Sequence, residues 1–127
     1  MTRTGFNRWA AAAALLVAAV LPHTRPLDAA TLPCEFEGVG RVVAVGDIHG
    51  AYGRLVEILR TAGLLDARQR WSGGKTHLVQ LGDIVDRGPD SRKALDFLRK
   101  LQDDAKRAGG AVHLLLGNHE AMRMLGD

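Results

Sequence analysis

Residues 42–50 read VVAVGDIHG, an apolar run that meets a glycine and then an aspartate and a histidine. A short, continuous, valine-rich run of this kind is the pattern of a strand buried on both faces, as in a parallel sheet. The same order returns in HLVQLGDIVDRG (77–88) and in AVHLLLGNHE (111–120). Each time, a side chain able to bind a metal through oxygen follows the glycine directly: Asp47, Asp83 and Asn118, spaced 36 and 35 residues apart. Between the runs, Tyr52, Leu55, Val56 and Leu59 recur at helical spacing ahead of Gly63. Ala94, Leu95, Leu98, Leu101 and Ala105 do the same ahead of Gly109 and Gly110. Pro89 suits that second helix's first turn, and Lys106 and Arg107 suit its last, at the negative end of the helix dipole. The pattern predicts strands over 41–46, 76–81 and 111–116, with a third, short helix opening near Glu120. Residues 66–75 read as a polar loop whose Trp71 plugs the sheet rather than binding a ligand. The order β-α-β-α-β predicts an α/β fold with a mainly parallel sheet.

In open sheets of this type, functional groups collect at the carboxyl ends of the strands. Taken one at a time, Gly-Asp and Gly-Asn are turn pairs, and an aspartate after a strand caps the next helix. Taken together, Asp47, His49, Asp83 and Asn118 supply carboxylates, an imidazole and an amide oxygen, a donor mix for manganese, iron or zinc. Two aspartates gathered at strand ends are costly unless a cation or hydrogen-bond donors compensate them. Each preceding glycine would let the backbone turn sharply and come close to a metal. Asp83, from the middle segment, is the natural bridge between two ions about 3.5–4 Å apart. His77 and His113 are expected at the starts of their strands, the wrong end for this site.

The segments GDIHG (46–50), GDIVDRG (82–88) and GNHE (117–120) resemble the three N-terminal signatures of the calcineurin-like metallophosphoesterases. DRG and GNHE point to the phosphoprotein-phosphatase type, and with its leader the chain is most similar to bacterial Shewanella-like phosphatases. The resemblance runs from Arg41 to the end and implies part of a metallophosphoesterase sandwich, its second sheet missing from these residues. It implies that Asp47 and His49 ligate a first divalent metal ion, that Asp83 bridges to a second and that Asn118 ligates the second. Arg87 would grip phosphate oxygens with its planar fork, His119 would be the general acid, and Asp86 would orient His119 and keep it protonated. Glu120 is assigned a structural role.

The implied reaction is single-step hydrolysis of phosphomonoesters, small molecules or phosphoproteins, by hydroxide formed on two cations. Two other readings compete: hydrolysis of dinucleoside polyphosphates or other phosphodiesters, and a metal-binding fragment without catalysis. The family pattern also requires two histidines after later strands, so the 127 residues are expected to be the N-terminal portion of a longer enzyme. Alone they are expected to be inactive or nearly so and poorly stable, with an uncovered sheet face and an open edge.

Residues 1–30 have the order of a secretory signal peptide, leaving 31–127 as the domain. Arg3 and Arg8 make a basic start, and Ala10–Leu21 is an apolar run of twelve, short of the roughly 20 residues a spanning helix needs. Ala30 is a plausible last residue of the leader, although Asp28 stands where a small residue is preferred, and there is no twin-arginine pair. A secreted or periplasmic protein, with no membrane span once the leader is removed, is the expectation. The net charge of +3 owes much to the leader: beyond it, 14 basic residues face 13 acidic ones, and no nucleic-acid partner is expected. Cys34 is the lone cysteine, which excludes a disulfide within the chain, and Pro33 before it argues against lipidation.

Overall fold

The computed structural model describes residues 35–126. The leader at 1–30, its cleavage site and Cys34 lie outside the described residues. Three four-residue strands, β1 (Val42–Val45), β2 (His77–Gln80) and β3 (Ala111–Leu114), form one parallel sheet in the order β1-β2-β3. Val42, His77 and Ala111 sit abreast at one end, and Val45, Gln80 and Leu114 at the other. Helices α1 (Tyr52–Thr61) and α2 (Ser91–Arg107) are the two crossovers, and α3 (Asn118–Leu125) follows β3. The strands stop one or two residues short of the expected carboxyl ends, where the chain leaves the ladder ahead of or at the glycines to form the loops. β1 and β2 also start one residue late, while β3 starts at Ala111 as expected. Among the described residues no helix is long and apolar enough to cross a membrane.

One face of the sheet makes the core. Val45, Leu78 and Val112 pack there with Leu55 and Leu59 of α1 and with Ala94, Leu98, Leu101 and Ala105 of α2. The helical stripes read from sequence are thus the buried stripes. Helix α1 ends in paired bonds from Gly63 N to Arg60 O (2.8 Å) and from Leu64 N to Leu59 O (2.8 Å). That is the 5→2 and 6→1 pattern of a Schellman stop, with Gly63 in the left-handed region (φ 70°) and Leu64 buried against the core. Gly109 and Gly110 close α2 in the same way on Lys106 and Ala105. Pro89 lies outside the helix, before the Asp90 cap, rather than in its first turn. Trp71 packs against the core from the α1–β2 loop and spends its indole N–H on Gly74 O (3.0 Å).

Residues on the opposite pleat are open, with Val42 60%, Leu81 50% and Leu115 47% exposed. His77 and His113 share this pleat, and Phe36 meets both rings edge-on at centroid distances of 5.1 and 4.8 Å. His77 begins β2 as expected, whereas His113 is third in β3 rather than at its start. The two rings pair with each other, Nε2 of His113 to Nδ1 of His77 at 3.2 Å. Burial, and then the neighbouring His77, holds the His113 pKa below its ordinary value.

Candidate metal centre

Three loops leave the carboxyl ends of the strands and interlock through their backbones. In the middle loop (82–88), carbonyls face one neighbour: Asp83 O accepts from Ile48 N (3.0 Å) and His49 N (2.9 Å), and Ile84 O accepts from Gly50 N (2.7 Å). Its amides face the other neighbour, where Glu120 waits. Glu120 Oε2 accepts from Asp83 N (2.7 Å) and Gly117 N (2.9 Å). Its Oε1 accepts from Ile84 N (2.8 Å) and Val85 N (3.1 Å). Four backbone donors on one partly buried carboxylate make Glu120 the clamp that binds the middle loop to α3. Burial opposes its ionisation, but the amides of Gly117, Asp83, Val85 and Ile84 outweigh it and hold the carboxyl below its ordinary value. The bond to Gly117 N is half of a capping box, since glycine has no side chain to return it.

The glycines before the ligands do not all turn the chain. Gly82 does (φ 101°), but Gly117 is extended (φ −90°), and a Cβ at Gly46 would meet nothing within 4 Å. The left-handed positions fall instead on His49 (φ 47°), Asp83 (φ 52°), Asp86 (φ 68°) and Arg87 (φ 61°). Non-glycine residues there are uncommon and cluster where surrounding structure over-determines them. Here the interlocking loops do so. Three glycines allow close approaches: a Cβ on Gly82 would collide with Gly117 N, one on Gly117 with the Asp83 carboxylate, and one on Gly88 with His49 O, which the Gly88 N–H bonds at 2.8 Å.

Asp47, His49 and Asp83 each present a ligand atom, and these atoms all lie within 4.8 Å of one another. His49 Nε2 stands 3.7 Å from Asp47 Oδ2. The other ring nitrogen, Nδ1, faces Val85 O at 3.0 Å, which places the proton on Nδ1 and leaves the Nε2 lone pair toward the aspartates. Asp83 Oδ1 accepts the His119 backbone N–H at 2.9 Å. Two carboxylates and an imidazole lone pair converge with little positive charge among them, and that donor set fits a divalent cation. Asn118, the first residue of α3, is exposed beside Gly117, whose backbone lies against the Asp83 carboxylate.

A second group abuts this cluster. The His119 and His49 rings meet edge-on with centroids 4.6 Å apart. His119 Nδ1 contacts Asp86 Oδ2 at 3.0 Å, and its Nε2 lies 3.4 Å from Arg87 Nη2. The other oxygen of Asp86 is held by Arg123, at 2.6 Å from its Nε. Arg123 first, and His119 after it, keep the Asp86 carboxyl below its ordinary value. Arg123 and the clamp function of Glu120 were not apparent from sequence. Only Glu120 carries a signal, its position as the third residue of α3, where a carboxylate can reach back to the cap.

Residues 40–127 match the calcineurin-like phosphoesterases, the three interlocked loops among them. The chain belongs to that family. It is 44% identical over 107 residues to Shewanella-like protein phosphatase 2 of Arabidopsis thaliana, a match covering 84% of this chain and 27% of that protein. It is 40% identical over 87 residues to Shewanella-like protein phosphatase 1 of Plasmodium berghei, covering 68% of this chain and 24% of the relative. The crystal structure of a cold-active protein-tyrosine phosphatase of a psychrophile Shewanella sp. superposes with a TM-score of 0.69 at 42% identity, over 72% of this chain and 28% of that one. The α/β architecture is therefore part of the phosphoesterase fold, and the chain spans about a quarter of the length of these relatives.

Proposed function

We propose that these residues carry metal-binding and phosphate-binding groups of a dimetal phosphomonoesterase acting on phosphoproteins. One observation carries the reading: the Asp86–His119–Arg87 chain lies directly against the Asp47–His49–Asp83 cluster, with the His49 and His119 rings in contact. A site that only stored a cation would have no use for a guanidinium and an oriented imidazole beside it. The phosphatase names of the relatives in three organisms support the same substrate class.

Asp47, His49 and Asp83 would hold one ion, and Asp83 with Asn118 would contribute to a second, of manganese, iron or zinc. When bound, such ions supply positive charge to the phosphoryl oxygens and an acidified water as nucleophile. Arg87 donates to the phosphoryl oxygens in a bidentate geometry that lysine cannot match. Asp86 accepts the Nδ1 proton of His119, which aims Nε2 at the leaving-group oxygen and steadies the positive charge of the protonated ring. His119 then gives its Nε2 proton to that oxygen. Arg123 holds the far oxygen of Asp86, so the carboxylate cannot swing away from the ring. The basic start and the twelve-residue apolar run that follows support export to the periplasm or medium.

The test is leaving-group dependence in manganese-loaded full-length protein. H119N should slow phenyl phosphate hydrolysis by roughly 10²–10⁴-fold, the range of general acid catalysis, and slow p-nitrophenyl phosphate much less. An equal loss on both substrates would remove His119 from the proton transfer. Metal binding without any metal-dependent hydrolysis would favour the non-catalytic reading.

A further inference from the structure

Gln80 is the last residue of β2, abreast of Val45 and Leu114, and is 0% exposed. It shares the core-facing pleat with Leu78, a position where an apolar side chain would be ordinary. Its Nε2 donates to Gly46 O at 2.9 Å and to Gly82 O at 2.9 Å. Those carbonyls belong to the residues immediately before Asp47 and Asp83. The β1–β2 ladder ends with Leu81 N on Val45 O, and the left-handed turn at Gly82 then takes the chain out of line. The Gln80 amide supplies donors where the ladder stops.

The arrangement has a cost. Gln80 Oε1 is buried and finds no partner among the described residues, and an unsatisfied buried acceptor is destabilising by about 1–3 kcal/mol. A leucine or methionine would fill the same space without that penalty. What neither could do is donate twice, to two carbonyls on different loops. Asparagine is one methylene shorter, and an ionised glutamate has no donor.

We propose that Gln80 is a positioning residue of the metal centre, its amide fixing the separation of the Asp47 and Asp83 loops. This rests on the metal-binding reading above. Glu120 clamps the middle loop from the α3 side, and Gln80 staples its base to the first loop from beneath. Small changes in the spacing of metal ligands matter because supporting partners typically tune affinity by about 10–100-fold.

Calorimetric titration of the metal-free full chain with Mn²⁺ tests this, using Q80M and Q80E, each checked for folding by circular dichroism. Both should bind Mn²⁺ about 10–100-fold more weakly, while L98A, a core truncation remote from the loops, should lose stability and keep its affinity. If Q80M is too unstable to titrate, Q80E, which matches the native shape, decides. Wild-type affinity in the Gln80 variants, or an equal loss in L98A, overturns the proposal. D83N separates the two levels: if it too binds Mn²⁺ like the wild type, the metal-centre reading itself fails.

Discussion

The Glu120 carboxylate accepts the backbone N–H of Asp83 at 2.7 Å across 37 residues of chain. The helix that carries Asn118 and His119 is thereby tied to the loop that carries Asp83, Asp86 and Arg87. Replacing Glu120 with glutamine puts an NH₂ group among N–H donors. E120Q should destabilise the fold by about 2–4 kcal/mol, given the cost of leaving buried donors unpaired. Urea denaturation measures the loss; a change under about 0.5 kcal/mol would mean that the four bonds are not needed.

Asp83→Asn separates charge from conformation. Asp83 holds a left-handed φ of 52°, and asparagine is among the side chains that tolerate that region best. The variant should keep its melting temperature within a few degrees yet lose Mn²⁺ affinity by more than the roughly 100-fold that a missing supporting partner costs. Calorimetry alongside a thermal melt tests both halves.

Gly88→Ala should unlock the first two loops. The added methyl would meet His49 O, a backbone atom that cannot rotate away. Overpacking of this kind costs about 1–3 kcal/mol. Ala→Gly at position 108, on the exposed end of α2, serves as a control for handling and should leave Mn²⁺ binding unchanged. Equal binding by G88A would show that the loops can separate without harm to the site.

Stability should fall steadily with acid. The amide of Arg70 lowers the pKa of Asp66, Arg123 that of Asp86 and Lys100 that of Asp104, and the amides around Glu120 outweigh its burial. Each group is thus below its ordinary value of 3.8 for aspartate or 4.5 for glutamate. The unfolded chain takes up protons first, so these contributions are whole above the ordinary values and vanish as pH drops through the folded ones. His113 acts earlier and with the same sign, because burial lowers its pKa from 6.5 and the unfolded state protonates first. Melting temperatures of the metal-free chain should therefore decline below pH 6.5 and more steeply below pH 4.5. A level profile down to pH 3.5 would contradict the linkage.

The fold was legible because its signals are local. Valine-rich runs ending at Gly46, Gly82 and Gly117 mark the strands, and the stripes of α1 and α2 mark the core. The convergence of Asp47, His49 and Asp83 followed from strand order, since parallel neighbours bring their carboxyl ends together. What escaped depends on partners far along the chain. Glu120 reads as an ordinary first-turn carboxylate until loop 82–85 is laid across it. Gln80, the lone amide in HLVQL, follows two apolar residues and shares a pleat with Leu78, and could have been questioned on that ground. Arg123 gives no sign in sequence that it will reach Asp86. The positive φ angles at His49 and Arg87 belong to backbone interlocking that no propensity encodes.

Those angles carry a consequence for anyone seeking a sturdier variant. A left-handed conformation costs a non-glycine residue roughly 1–2 kcal/mol, so selection for heat resistance alone would drift toward glycine at 49 and 87. Each such step would ease the backbone while deleting an imidazole or a guanidinium. Robustness and chemistry compete at the same two addresses, and directed evolution here has to screen for both at once.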